Sequence, residues 1–99
     1  MARPAASAAH HIVAGNAQAA APARSVLARF EVNINAVENG VFLPLNRGVP
    51  NPAGVAVHST LHSNAYYQTV NNLMTSASTR TEALDVRAYL RQGLLAGDL

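Results

Sequence analysis

The sequence contains no cysteine and no lysine, and each absence narrows what the chain can do. Without cysteine there is no disulfide framework and no thiolate metal site, so a tightly bound cation must take nitrogen or oxygen ligands. All seven basic residues are arginine, which suits bidentate contact with phosphate but also follows from a GC-rich genome. The formal net charge is only +2, so long-range steering of nucleic acid would be mild.

Long apolar runs are also missing. No segment approaches the roughly 18 apolar residues of a membrane span, and the N-terminus lacks the charged and apolar regions of a signal peptide. A chain of 99 residues is the size of a single domain with one core. We expect residues 1–8 to be a flexible lead-in from a longer parent protein and residues 9–99 to form that domain.

Two regions of the chain favour strands. Residues 10–13 end in an apolar β-branched pair and predict a brief strand. The dipeptide Asn39-Gly40 lies between apolar residues at 32–37 and 41–43, which is a strong local signal for a two-stranded hairpin. The sequence therefore predicts a hairpin that turns at Asn39-Gly40.

Three further segments predict helices. A proline in the first turn suits a helix over residues 22–30, and an apolar stripe predicts a second helix from residue 63 or 64 to residue 74. Thr79 and Glu82 form a capping-box pattern that opens a final amphipathic helix, which Gly97 ends. The mixture predicts an α+β fold, with the final helix used for packing or for a partner surface.

All four histidines lie in two short segments, His10-His11 and His58-x-x-x-His62. On a helix, residues four apart are about 5–6 Å apart at their β-carbons, close enough to share a cation. Adjacent residues on a strand point to opposite sides, so the two histidines of the doublet are expected to have different roles. One imidazole would complete a three-histidine metal site with an open coordination position, and the other would remain free as a base. The alternative is a buried core histidine with polar surface neighbours.

A resemblance gives these patterns a specific meaning. Residues 9–13, residues 39–44 and the later histidine pair followed by Tyr66 resemble, in this order, the AHH branch of the HNH/endonuclease VII superfamily. The resemblance implies a small ββα-metal (His-Me finger) core with a β-hairpin, an inserted helix before it and an additional C-terminal helix. Members of this branch are common as C-terminal toxin domains of secreted bacterial proteins.

The resemblance also implies roles for individual residues. His10, His58 and His62 would bind one divalent ion, His11 would be the general base, and Asn39 would hold and polarise its imidazole. An oxygen of Asn39 in the predicted turn could accept from a ring N–H and fix the tautomer. The alternative for Asn39 is ordinary turn chemistry.

The sequence also offers candidates for the metal ion and for contacts with the substrate. Three imidazoles suit Zn²⁺ or Ni²⁺ by affinity, whereas Mg²⁺ is abundant in cells. Arg47, in the loop after the hairpin, is a candidate phosphate contact, and Tyr66 could touch the substrate sugar or belong to the core.

These observations predict a metal-dependent DNA endonuclease of low sequence specificity, because such a site contacts the backbone rather than the bases. The resemblance further implies an antibacterial toxin domain, secreted as the C-terminal part of a bacterial effector, that would act in the cytoplasm of a target cell and require a cognate immunity protein. A ribonuclease of the same fold is one alternative. A non-catalytic zinc-binding interaction module is the other.

Overall fold

The computed structural model describes residues 6–99 and has five main elements in an α+β arrangement. They are β1 (Ser7–His11), α1 (Ala21–Arg29), β2 (Gly40–Pro44), α2 (Asn64–Thr75) and α3 (Arg80–Ala96). Residues 1–5 of the expected lead-in lie outside the described residues. Ser7 and Ala8, which the sequence assigned to the lead-in, belong to β1.

The sheet is a single antiparallel pair, in which Ser7 lies opposite Pro44 and His11 lies opposite Gly40. The α+β prediction with an inserted helix is therefore confirmed, because α1 lies in the connection between the two strands. The predicted location of the hairpin is wrong. Residues 32–35 form no strand, and Val37–Asn39 is a 3-10 turn that leads into β2.

The competing interactions explain this difference. The backbone N–H of Val32 donates to the carbonyl of Leu27 at 2.8 Å, which ties the segment to the end of α1. The N–H of Asn39 donates to the carbonyl of Ala36 at 2.9 Å and closes the 3-10 turn. Backbone groups used in this way cannot form a ladder across the dipeptide, so β2 pairs with the distant β1 instead.

The three predicted helices are confirmed, and their ends follow the sequence signals. The hydroxyl of Ser63 accepts from the N–H of Tyr66 at 3.2 Å and caps α2. The hydroxyl of Thr79 accepts from the N–H of Glu82 at 3.1 Å and caps α3. Gly97 ends α3 in the left-handed region at φ 76°. Among residues 6–99, no helix is long and apolar enough to cross a membrane.

The hydrophobic core lies between the sheet and the helices. Leu27 of α1, Leu43 of β2 and Met74 of α2 are each at most 2 % exposed, and α3 adds Leu90 and Leu94. The N–H of Ala56 donates to the carbonyl of Leu94 at 2.8 Å, so the loop before the second histidine pair is tied to α3. This packing fixes the direction from which residues 58–62 approach β1.

Candidate active site

The two adjacent histidines of β1 face opposite sides of the strand. His10 is only 4 % exposed, whereas His11 is exposed. This alternation is a property of the pleat, in which successive side chains point to opposite faces. The strand therefore sends one imidazole into the protein and the other toward solvent.

His10 meets the second histidine pair, which lies just before α2 rather than on it. His58 begins the 3-10 turn His58–Thr60. Its Nδ1 is 3.2 Å from Nδ1 of His10, and its Nε2 is 2.9 Å from Nε2 of His62. Hydrogen bonds join the three rings in sequence, with His58 in the middle, and we call this hydrogen-bonded chain the histidine row. The ring centroids themselves form a triangle with sides of 4.5, 5.3 and 6.3 Å. All four histidines line a single cleft of about 280 Å³.

A buried tyrosine anchors the inner end of this row. The hydroxyl of Tyr66 donates to the carbonyl of Ile12 at 2.8 Å, and its oxygen lies 3.0 Å from Nε2 of His10. Because a tyrosine has only one hydroxyl proton, the contact with His10 requires the ring to donate from Nε2. Neutral His10 then carries its lone pair on Nδ1.

The same logic assigns the remaining rings in the row. Nδ1 of His58 must donate to the lone pair of His10, which leaves Nε2 of neutral His58 as an acceptor for His62. In its neutral form His62 accepts at Nδ1, where the Tyr67 hydroxyl lies 3.3 Å away. Every hydrogen bond of the row therefore runs in one direction, toward the carbonyl of Ile12.

The electrostatics keep the inner rings neutral. Burial, reinforced by the neighbouring His58, His62 and His11, lowers the pKa of His10 to about 4. Burial and the neighbouring His62 also lower the pKa of His58 below its usual value. Neutral imidazoles with available lone pairs are the form in which histidine binds metal ions.

A comparison with protein families identifies the family of the chain. Residues 1–93 match the family model AHH, described as a nuclease family of the HNH/ENDO VII superfamily with conserved AHH. The chain belongs to the AHH family. Its AHH residues are Ala9, His10 and His11, the last three residues of β1. Searches of curated proteins and of solved structures found no match.

Membership in the AHH family makes the chain a nuclease, and a nuclease acts on nucleic acid. HNH/ENDO VII nucleases generally use a divalent metal ion. Among residues 6–99, no three His, Cys, Asp or Glu side chains are arranged to hold one. The donor chemistry nevertheless fits, since three imidazoles at one cleft are suitable ligands for a divalent ion.

Asn39 has a different environment from the one expected of an AHH-family polarising residue. It is fully buried, and its Oδ1 accepts from the N–H of Val13 at 3.0 Å. Its Nδ2 donates to the carbonyls of Val13 at 3.2 Å and Ile34 at 2.8 Å, and its own carbonyl accepts from the N–H of Ile12 at 2.7 Å. Within the described chain, Asn39 thus holds the backbone that follows His11 and makes no hydrogen bond to the imidazole of His11.

The structure separates the two residues suggested for substrate contact. Tyr66 is buried, and its hydroxyl is engaged by His10 and Ile12. Arg47 is exposed in the turn after β2, beyond the end at which Ser7 pairs with Pro44. It lines neither of the two main clefts, so the structure does not bring Arg47 to the histidines.

Sequence reasoning missed the role of both tyrosines as hydrogen-bond partners of the row. The available signal was the adjacency of Tyr66 and Tyr67 shortly after the second histidine pair, since neighbouring residues on a helix face directions about 100° apart. One of them can then lie under the inner ring and the other beside the outer ring. Their sequence position alone does not distinguish this arrangement from ordinary core packing.

Proposed function

We propose that this AHH-family nuclease is a metal-dependent DNA endonuclease that hydrolyses phosphodiester bonds with little sequence specificity. One observation carries the proposal. The histidine doublet is divided between a buried imidazole, which joins His58 and His62, and an exposed imidazole, which lines the same cleft. A metal-assisted hydrolase needs both kinds of group within reach of one phosphate.

In this proposal His10, His58 and His62 hold one divalent ion, either Zn²⁺, Mg²⁺ or Ni²⁺. When bound, the ion would act as a Lewis acid that stabilises charge developing on phosphate oxygens. Tyr66 fixes the ring of His10 through its Nε2–H and so directs the Nδ1 lone pair toward the cleft. Burial keeps this ring neutral at neutral pH, so Nδ1 carries no proton of its own, and metal binding would replace the hydrogen bond that it accepts from His58.

His11 is the general base in the proposed reaction. Its exposed imidazole accepts a proton from the attacking water, whose oxygen forms a bond to phosphorus as the bond from phosphorus to the 3′ oxygen breaks. The hydrogen bond from the N–H of Ile12 to the carbonyl of Asn39 fixes the backbone immediately after His11. Asn39 would therefore assist the base by holding the chain that carries it.

The biological setting is part of the same proposal. The resemblance to toxin domains supports delivery as the C-terminal part of a longer secreted bacterial effector, with action in the cytoplasm of the target cell. A nuclease of low specificity endangers the cell that makes it, so a cognate immunity protein would accompany it. Induced expression in bacteria should lower viability, and His11→Ala should relieve that toxicity.

Cleavage of supercoiled plasmid by the purified protein tests the chemistry. We expect nicking and linearisation with a divalent ion, none with EDTA, and a loss of about 10²–10⁴-fold in His11→Ala. Arg29→Gln is a suitable control, because Arg29 is exposed on α1 and lines neither cleft. Parallel digestion of structured RNA distinguishes the substrate. Cleavage of RNA alone would favour the ribonuclease, and cleavage that persists in EDTA would contradict the proposal.

A further inference from the structure

A second and larger cleft lies along α3, with a volume of about 990 Å³. Its lining includes His11 of β1 and three arginines of α3, which are Arg80, Arg87 and Arg91. Spacings of seven and four residues place these arginines on one face of the helix. The cleft therefore joins the exposed histidine of the doublet to a row of guanidinium groups.

Arg87 is the unusual member of this row. It is only 3 % exposed, and its Nη1 is buried with no hydrogen-bond partner among residues 6–99. A buried guanidinium without full hydrogen bonding is costly, because its lost hydration is not replaced. Arg87 lies on the same helical stripe as Ala83, Leu90 and Leu94, where an apolar side chain would normally pack.

The charges around Arg87 do not remove this deficit. Burial lowers the pKa of its guanidinium, the carboxylate of Glu38 opposes that shift, and the charge of Arg80 adds to it. Arginine nevertheless stays protonated at neutral pH. Glu31 and Glu38 also line the cleft, so its three arginines exceed its two carboxylates. The cleft retains a net positive charge and an unused donor.

We propose that this α3 cleft binds phosphate groups of the substrate backbone next to the bond that is cut, with Arg87 as the buried anchor and Arg80 and Arg91 at the rim. The inference rests on the proposed nuclease function and identifies its substrate-binding surface. A phosphodiester matches the planar, multiply donating guanidinium. Because His11 lines the same cleft, a strand held there lies beside the proposed base.

Binding without cleavage tests this surface independently of catalysis. Fluorescence anisotropy of a labelled DNA duplex is measured in EDTA across a range of salt concentrations for wild type, for the double variant Arg80→Gln/Arg91→Gln and for Arg29→Gln. Each phosphate contact contributes about 0.9 to the slope of log K against log salt. We expect the double variant to lose about two units of slope, and Arg29→Gln to keep the wild-type slope.

Arg87→Met tests the buried anchor with a side chain of similar length and no charge. We expect at least a tenfold loss of affinity for the duplex together with an unchanged or higher melting temperature, because an unpaired buried charge has been removed. A variant that failed by unfolding would instead lower the melting temperature. Arg91→Gln, at an exposed position, gives a second measurement that does not disturb the core.

The outcomes separate this inference from the proposed function. If wild type cleaves DNA but Arg87→Met and the double variant bind the duplex like wild type, the α3 cleft is not the binding surface and the nuclease proposal stands. If wild type cleaves no nucleic acid with any ion tested, the proposed function fails whatever the slopes are. Weaker binding and a reduced slope in these variants, with Arg29→Gln unaffected, support the inference.

Discussion

Replacement of Asn39 by alanine should unfold the segment around the active site rather than change its chemistry. The side chain makes three hydrogen bonds, one from the N–H of Val13, one to the carbonyl of Val13 and one to the carbonyl of Ile34. Asn39 is fully buried, so water cannot readily replace the lost partners. The variant would leave one backbone donor and two backbone acceptors unsatisfied.

The magnitude follows from these contacts. A net contribution of about 1 kcal/mol per hydrogen bond gives a loss of about 3 kcal/mol, and the buried unsatisfied groups bring it closer to about 6 kcal/mol. A small domain has only about 5–15 kcal/mol of stability in total. For a chain of this size, each kcal/mol lowers the melting temperature by about 4–8 °C, so we expect a decrease of at least about 12 °C.

Thermal unfolding followed by circular dichroism measures this effect, with plasmid cleavage assayed well below the melting temperature. Asn72→Ala is the matched control, because Asn72 is exposed on α2 and its replacement should leave the melting temperature nearly unchanged. The reasoning is refuted if Asn39→Ala melts like wild type yet is as inactive as His11→Ala. That result would give Asn39 a direct part in the reaction.

Three further predictions concern the histidine row and the end of α3. Tyr66→Phe removes the acceptor for the Nε2–H of His10. Metal affinity should fall about 10–100-fold, and nitrogen NMR of the apo protein should show loss of the single His10 tautomer. The control Tyr89→Phe, at an exposed position on α3, should change neither. The pKa of His10 is about 4 in the folded protein and 6.5 ordinarily, so the unfolded chain binds more protons between these values and stability falls as pH falls from 6.5 toward 4. Urea titrations should show a loss of about 2 kcal/mol between pH 7 and pH 5, and a flat profile would contradict the buried neutral ring. Gly97→Ala places a methyl group against the carbonyl of Gly54 at a positive φ and should lower the melting temperature by about 4 °C or more, whereas Gly15→Ala, with open space around it, should not.

The parts of the fold that could be read from the sequence depend on local interactions. Ser63 and Thr79 accept from N–H groups three residues later, and such caps are visible in any short window. The pairing of β1 with β2 joins residues far apart in the chain, from Ser7 with Pro44 to His11 with Gly40. The Asn39-Gly40 dipeptide wrongly indicated a hairpin turn, because the side-chain amide of Asn39 instead forms hydrogen bonds with the backbone of the distant Val13. No local sequence pattern reveals these long-range hydrogen bonds.

In the candidate active site, too, the features set by local geometry could be predicted and those set by packing could not. The alternation of His10 and His11 follows from the pleat of a strand. The contact between His58 and His62 was expected from helical spacing, but in the structure the pair lies before α2 and the contact forms without an α-helix. The hydrogen bonds of Tyr66 and the burial of Arg87 depend on how α2 and α3 pack, which the spacing does not reveal. Arg87 did leave one clue, since a charged residue interrupts the otherwise apolar stripe of α3.

The register of β1 against β2 has a chemical consequence, because it places two chemically identical side chains, His10 and His11, in different environments. A slip of one residue would turn the inner imidazole outward and the outer one inward. The backbone held by Asn39 and the pairing of His11 with Gly40 therefore decide which ring would meet the ion and which would meet water. In this nuclease the proposed roles of metal ligand and general base would thus follow from strand alignment and not from residue type.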